Sequence, residues 1–127
     1  MLSDLIKEHM IRPRNQGMIA GADGTGEMVG PVCGDQVVVY LKINQGRISK
    51  ISFTTHGCWA ALAMASWITD LAMGLTPQEA LALDGEELAR KKAGLPEDKW
   101  PCGRLVSQAL HRAVRDWQTR QGIDLRA

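Results

Sequence analysis

The order of the sequence patterns predicts an α+β domain, in which a small three-stranded antiparallel sheet packs with about five helices. Two Val- and Ile-rich segments, Gln36–Asn44 and Arg47–Thr55, flank Gln45-Gly46 and predict a β-hairpin. Apolar residues at helical spacing precede this hairpin and dominate the chain after it. With 127 residues, of which 45% are apolar, the chain is expected to form one domain, 1–127, with a substantial core.

The segment before the hairpin predicts a short helix, a loop and a third strand. Four apolar residues recur at helical spacing and predict a helix that ends before Pro13: Leu2, Leu5, Ile6 and Met10. Ser3 or Asp4 can cap this helix. The glycine-rich stretch 16–26 is expected to be a mobile loop, and residues 27–32 can add a third antiparallel strand.

Helices are predicted after the hairpin. Residues 58–73 are Ala-rich and apolar almost all round, which is typical of a buried central helix. Thr76-Pro77-Gln78-Glu79 has the pattern of a capping box, and Asp84 repeats the capping signal. A stripe of apolar residues from Leu105 to Trp117 predicts a last amphipathic helix.

Composition excludes several classes of protein. The formal net charge is +1, which gives no reason to expect binding to nucleic acid or to a membrane. Residues 90–127 hold nine Lys/Arg and four Asp/Glu, and we interpret this basic part as solvated helix faces rather than a docking surface. Residues 1–10 have no apolar core of a secretory signal, so a cytoplasmic, reducing location is expected.

The chain has three cysteines, Cys33, Cys58 and Cys102, which cannot all form internal disulfides. Cys58 and Cys102 lie at predicted helix N-termini, where the helix dipole favours an exposed, reactive thiolate. A glycine adjoins each cysteine (Gly34, Gly57 and Gly103), which permits an unusual φ and lets a bulky cluster approach the backbone.

Asp35 follows Cys33 by two residues and adds a hard oxygen ligand beside soft sulfur. Three thiolates with one weaker oxygen ligand would hold a metal and also release it. The spacing of the cysteines matches no generic zinc pattern, however, and a buried cysteine often acts as a small apolar residue. Spacing alone therefore leaves structural and metal-binding cysteines both open.

The motifs around the cysteines resemble those of the IscU/NifU-type iron–sulfur cluster assembly scaffolds, along nearly the whole chain. The matching motifs are His9-Met10-Ile11-Arg12-Pro13-Arg14-Asn15, Gly30-Pro31-Val32-Cys33-Gly34-Asp35, Phe53-Thr54-Thr55-His56-Gly57-Cys58 and Leu95-Pro96-Glu97-Asp98-Lys99-Trp100-Pro101-Cys102. The separation of Cys58 and Cys102 is similar to the IscU type, without the insertion of the zinc-containing SufU type.

This resemblance implies an IscU/NifU N-terminal-like fold and a scaffold without enzymatic turnover, on which a [2Fe–2S] cluster is built and then passed on. It implies that Cys33, Cys58 and Cys102 are ligands or sulfur acceptors, and that Asp35 is a ligand or a residue that keeps the cluster labile. Zinc can occupy the same site in such proteins. The resemblance also implies partners: a cysteine desulfurase, recipient iron–sulfur apoproteins and a frataxin-like iron donor, with the scaffold as a monomer or homodimer.

The chain departs from the family pattern at several positions. Pro101 replaces the histidine that precedes the third cysteine, which removes one ligand candidate. Glu97 and Asp98 alter the motif associated with a heat-shock chaperone, so dependence on that chaperone is open. Trp59, Met64 and Trp67 replace small residues after the second cysteine, which predicts a more apolar site.

The sequence also predicts roles for the three histidines and for one tryptophan near the third cysteine. His56 is two residues from Cys58 and is a candidate nitrogen ligand, but strand alternation favours an orientation away from the site. His9 is expected to pack structurally and His111 to be solvated. Trp100 is expected to shield the site by packing.

Two further functions remain compatible with the sequence. A zinc-bound persulfide acceptor would use a tetrahedral Cys3Asp site for sulfur transfer. A binding module that regulates a desulfurase would have kept the fold and lost cluster assembly, as the altered motifs allow.

Overall fold

The computed structural model describes residues 1–30 and 34–122, and in this part five α-helices surround a three-stranded sheet. The elements are α1 (Asp4–Ile11), β1 (Gly24–Val29), β2 (Gln36–Asn44), β3 (Arg47–His56), α2 (Trp59–Ala72), α3 (Pro77–Leu81), α4 (Gly85–Leu88) and α5 (Trp100–Gln121). A π-helical turn (Ala89–Ala93) and a 3-10 turn (Glu97–Lys99) connect α4 to α5. This architecture confirms the predicted fold class.

The β2–β3 hairpin forms the centre of the fold. Gln45 and Gly46 both have positive φ, +53° and +76°, as a two-residue type I′ turn requires. Strand order is β1-β2-β3, entirely antiparallel. Alternate hairpin residues point into the core, and Val39 lies opposite Phe53 with both side chains fully buried. The prediction of the hairpin is confirmed, with β3 extending one residue further, to His56.

β1 begins earlier than predicted. The sequence placed the third strand at residues 27–32, whereas β1 spans Gly24–Val29 and pairs with β2 from Leu41 to Gln36. Part of the stretch expected to be a mobile loop is therefore strand. Gly24 and Gly26 face α5 so closely that a Cβ on either would collide with the backbone of α5, at Ala113 and Ala109. These glycines permit close packing of a helix, which a composition-based loop prediction misses.

The predicted helix caps are confirmed. Ser3, rather than Asp4, caps α1, since its Oγ accepts a hydrogen bond from Ile6 N at 3.1 Å. Thr76 and Glu79 form the reciprocal capping box of α3. Asp84 Oδ1 accepts from Glu87 N at 3.1 Å and caps α4. α2 is buried almost all round, as its composition predicted.

His9 packs structurally, as predicted. Its ring is buried, with Nδ1 2.6 Å from Ser66 Oγ and Nε2 3.4 Å from Arg14 Nη1. Because the guanidinium cannot accept a hydrogen bond, a neutral ring that donates from Nδ1 satisfies both contacts. Burial, followed by the nearby charge of Arg14, lowers the pKa of His9 below its usual 6.5.

The expectation that His111 is solvated was wrong. The side chain is half-buried between α5 and the loop after α3, where Nε2 donates to Leu83 O at 3.0 Å. Burial lowers the pKa of His111 below 6.5, against the opposing effect of this hydrogen bond. Helical periodicity placed His111 correctly on the polar side of α5 but could not foresee that the α3–α4 segment covers that side.

Most basic residues of the C-terminal part are exposed, as expected. Several form surface ion pairs: Lys91 with Glu87, Arg104 with Glu86 and Arg120 with Asp116. Pairs of this kind contribute little to stability.

Within residues 1–30 and 34–122, no helix combines the length and the apolar character needed to cross a membrane.

A contact between two glycines fixes the start of α5. A Cβ on Gly85 would collide with the backbone of Gly103, and a Cβ on Gly103 would collide with Gly85 and lie 2.9 Å from Ala89 Cβ. The first turn of α4 and the first turn of α5 therefore touch backbone to backbone. Only glycine at both positions permits this approach.

We predict that Gly85→Ala lowers the free energy of unfolding by about 1–3 kcal/mol, because the added methyl group overpacks this contact. Glu86→Ala is the matched control in the same helix, and loss of its exposed ion pair should cost about 1 kcal/mol or less. Urea unfolding of both variants measures the difference. Equal stability of Gly85→Ala and the wild type would contradict the packing described here.

We predict that stability falls as the pH is lowered below about 6.5, the usual pKa of histidine. His9 and His111 have lowered pKa values, so below pH 6.5 the unfolded state binds more protons than the folded state. Their contribution is complete above 6.5 and is lost as the pH falls towards the lowered values. Urea unfolding should show a smaller fall for His111→Gln, which can still donate to Leu83 O.

His56→Gln is the matched control, since His56 is exposed at the end of β3. It should show the same fall as the wild type. An equal fall in His111→Gln and the wild type would exclude His111 from the effect.

Candidate metal centre

Two thiols and a carboxylate meet at one end of the hairpin. Cys58 Sγ lies 3.4 Å from Asp35 Oδ2 and 3.6 Å from Cys102 Sγ, and Cys102 Sγ lies 3.9 Å from the same carboxylate oxygen. All three candidate ligand atoms lie within 4.8 Å of one another. Three of the four predicted ligands, which are far apart in sequence, thus form one compact group.

Three structural elements position this group. Asp35 immediately precedes β2, and Cys58 is the N-cap of α2, just after β3. The hairpin brings them together, because Gln36 pairs with His56 in the antiparallel register. Cys102 lies in the first turn of α5, which packs against α2 and the sheet. The site therefore lies where β2 begins and β3 ends, next to the first turns of α2 and α5.

The glycines beside the cysteines have three different roles, of which one was predicted. Gly57 gives room to a side chain, since a Cβ there would lie 2.7 Å from Asp35 Cγ and 2.8 Å from Oδ1. Gly103 contacts Gly85, as described above. Gly34 adopts a left-handed conformation with φ +73°, which confirms the predicted unusual φ, and a Cβ there would meet none of the described residues within 4 Å. For Gly57 and Gly103, contacts within the protein explain the glycine, and room for a cluster stays a prediction.

The expectation of an exposed, activated thiolate was wrong for Cys102. The residue is only 6% exposed, and burial raises the pKa of its thiol to about 12. The neighbouring Cys58 and the charge of Asp35 add to this increase, while Lys99 opposes it. Desolvation is the largest of these causes. A metal ion at this site must therefore displace a proton from Cys102.

The donor set suits a metal that prefers sulfur. With metal–sulfur bonds of about 2.3 Å, two thiolates on one tetrahedral ion are about 3.8 Å apart. The observed separation of 3.6 Å between the two sulfur atoms is close to this value. Cys58 and Cys102 can therefore bind the same ion, and Asp35 offers an oxygen ligand beside them. This spacing fits iron or zinc coordination.

Cys33 lies outside the described residues, so its predicted role as a ligand stays a prediction. Its neighbourhood is partly described: Gly30 N donates to Asp35 O at 2.7 Å, and Gly34 N donates to Gly30 O at 3.1 Å. The described residues on both sides of the segment 31–33 are thus held next to Asp35.

The other residues considered from sequence lie outside the ligand group. His56 is exposed and, among the residues described, does not join the group of candidate ligands. This agrees with the favoured prediction that His56 is oriented away from the site. Pro101 is exposed at the start of α5. Trp100 is half-buried, with Nε1 donating to Leu95 O at 2.9 Å and Arg90 5.9 Å from its ring centre. These contacts hold the side chain against the segment before α5, and its predicted shielding of the site stays a prediction.

The residues after Cys58 differ in where they point. Met64 and Trp67 are buried in the core, and Trp59 is 40% exposed. None of the three is among the described residues that line the cavity at this site, so the predicted apolar surroundings do not come from them.

The group lines a cavity of about 310 Å³. Its lining comprises Met28, Gly30, Asp35, Cys58, Asp98, Lys99, Pro101, Cys102, Arg104, Leu105 and Gln108. Sequence reasoning missed the contributions of Met28, Leu105 and Gln108. Helical spacing from Cys102 could have identified Leu105 and Gln108, which are three and six residues further along α5. Met28 gave no such signal.

An antiparallel sheet of three strands packed with helices, together with a group of two thiols and a carboxylate, fits the IscU/NifU type of protein that the sequence motifs resemble. Comparison with known families agrees. The family model of the NifU-like N terminal domain matches residues 1–124. The chain belongs to this family.

Individual relatives carry more specific names. "Iron-sulfur cluster assembly scaffold protein IscU 1" of Archaeoglobus fulgidus is 42% identical over 122 residues, covering 96% of this chain and 80% of that protein. The IscU scaffold protein of Azotobacter vinelandii is 36% identical over 125 residues, covering 95% and 97%. A NifU-like protein (N-terminal) from Brucella abortus shares the fold, with a TM-score of 0.58, 22% identity and coverage of 94% and 81%.

We predict that Gly57→Ala weakens zinc binding about tenfold, because the added methyl group displaces the Asp35 carboxylate. Asp35→Ala should weaken it in the same direction. The double variant should bind no more weakly than Asp35→Ala alone, since the clash requires the carboxylate. Competition with a chromophoric chelator measures the three affinities. Additive losses would show that Gly57 acts independently of Asp35.

Proposed function

We propose that this chain is an iron–sulfur cluster assembly scaffold, which builds a cluster on its own side chains and passes it to recipient proteins. The observation that carries this proposal is the group of Asp35, Cys58 and Cys102 at one cavity of a NifU-like domain. The names of relatives that match nearly the whole chain support it. The cluster is cargo, so the chain is a carrier and not an enzyme.

The proposed ligands are Cys33, Asp35, Cys58 and Cys102. Three thiolates supply the soft ligands that iron–sulfur clusters use, and the proposed cluster is [2Fe–2S]. Because Pro101 has no side-chain donor, Asp35 is proposed as the fourth ligand. A carboxylate is a harder ligand than a thiolate, and its bond to the cluster is the weakest of the four. Asp35 would therefore be the ligand that leaves first when the cluster is transferred.

The surroundings of the candidate ligands favour both binding and release of the cluster. Cys102 is buried and Cys58 is half-buried, which limits contact between the cluster and water. Lys99 lines the cavity, and its charge favours the anionic form of the Cys102 thiol. The cavity gives an exchange partner access to the same sulfur atoms. The described residues thus provide a partly covered site rather than a closed core.

The proposed partners follow from this role. A cysteine desulfurase would supply sulfur, a frataxin-like donor would supply iron, and iron–sulfur apoproteins would receive the cluster. The proposed location is the cytoplasm, with a monomer or homodimer as the working form. We propose no binding to nucleic acid or to a membrane, given the balanced charge.

A second candidate function is that of a zinc-bound persulfide acceptor. The observation that favours it is the compactness of the group, because ligand atoms within 4.8 Å of one another suit a single ion. In that function a thiolate at the zinc site would accept sulfur by attack on a persulfide.

Anaerobic reconstitution tests the scaffold proposal. The full chain is incubated with ferrous iron, cysteine and a cysteine desulfurase, and visible absorption is recorded. Thiolate-to-iron charge-transfer bands should develop in the wild type and be absent in Cys58→Ala, which lacks one ligand. Far-ultraviolet circular dichroism checks that both proteins are folded. A folded wild type without these bands would contradict the proposal.

Metal analysis of the same samples separates the two candidates. A scaffold should exchange bound zinc for iron and sulfide during reconstitution. Zinc that stays stoichiometric while persulfide forms and turns over on the protein would favour the persulfide acceptor.

A further inference from the structure

The two described thiols of the metal centre are also placed to react with each other. Cys58 Sγ and Cys102 Sγ are 3.6 Å apart, which is van der Waals contact for two sulfur atoms. A disulfide bond is about 2.05 Å long, so the sulfur atoms must approach by about 1.5 Å to form one. Both cysteines are free thiols in this structure.

The two thiols differ in accessibility. Both line the same cavity, but Cys58 is half-buried at the N-cap of α2, whereas Cys102 is buried. A small reagent that enters the cavity therefore reaches Cys58 first. Cys102 then lies within reach of the modified sulfur, in the position of a resolving thiol.

We propose that Cys58 and Cys102 form a redox-active dithiol, which a small-molecule disulfide converts into an intramolecular disulfide that closes the metal centre. In the first step Cys58 Sγ attacks one sulfur of the reagent, forms a mixed disulfide and releases one reagent thiol, which takes the Cys58 proton. In the second step Cys102 Sγ attacks Cys58 Sγ, and the second reagent thiol leaves with the Cys102 proton. The protein loses two electrons and two protons, and the reagent gains them.

Oxidation of this pair would remove two thiolate ligands at once. Asp35 would then lack both of its described sulfur neighbours, so the site would lose most of its affinity for a soft metal. This consequence rests on the proposed function, whereas formation of the disulfide does not. The metal centre would thus be open in a reducing environment and closed in an oxidising one.

The test is oxidation of the reduced, metal-free full chain with hydroxyethyl disulfide, followed by alkylation, tryptic digestion and mass spectrometry. The expected product links peptide 51–90 to peptide 100–104. It should form about tenfold or more faster in the folded chain than in urea, because the fold holds the two sulfur atoms in contact. Cys33→Ser should give the same linked product, with a mass lower by two hydrogen atoms than that of the reduced protein.

The same oxidation in urea is the matched control. Without the fold, closure of the shorter loop favours Cys33–Cys58 over Cys58–Cys102 by about twofold, since the separations are 25 and 44 residues. A native product mixture equal to that in urea would overturn the proposal. Stable mixed disulfides on both cysteines, without the linked product, would also overturn it.

Zinc binding then tests the closing of the site. The oxidised protein should bind zinc about a hundredfold more weakly than the reduced protein, and a phosphine reductant should restore the affinity. Unchanged affinity after oxidation would refute the closing. If the disulfide forms but cluster reconstitution fails, only the proposed function is contradicted; if reconstitution succeeds without the disulfide, only the dithiol is.

Discussion

Close packing of α5 against the backbone of its neighbours is the constraint on which the rest of the structure depends. Gly24 and Gly26 let β1 lie directly against this helix, and Gly85 lets α4 touch it at Gly103. α5 also packs against α2, so it holds the sheet and the helices together. Because Gly103 adjoins Cys102, the contact that fixes the helix also fixes one ligand of the candidate metal centre. Fold and site therefore share the same packing.

The site combines groups that would repel one another if both thiols lost their protons without a metal. A carboxylate and two sulfur atoms lie in contact, and the same proximity and burial that raise the pKa of Cys102 would stabilise a metal ion. Gly57 holds Asp35 in this arrangement by leaving no side chain in its way. Both proposals use this contact. A metal would bind both sulfur atoms, and an oxidant would join them in a disulfide bond.

The sequence predicted local features well because their causes are local. The I′ turn at Gln45-Gly46 and the caps at Thr76 and Asp84 depend on residues within one turn of each other. The start of β1, the covering of His111 and the burial of Cys102 depend on what packs from elsewhere in the chain, so no local pattern contained them. The candidate ligands were identified from motif resemblance, whereas the separate roles of the three glycines required the tertiary contacts.

The central claim is that this constellation assembles a cluster from iron and sulfide. Iron and acid-labile sulfide, measured in the full chain after purification without oxygen, test it most directly. We expect iron and sulfide in equal amounts, both lost from Cys102→Ala protein that remains folded. Stoichiometric zinc without labile sulfide, in protein expressed together with a desulfurase and an iron supply, would contradict it.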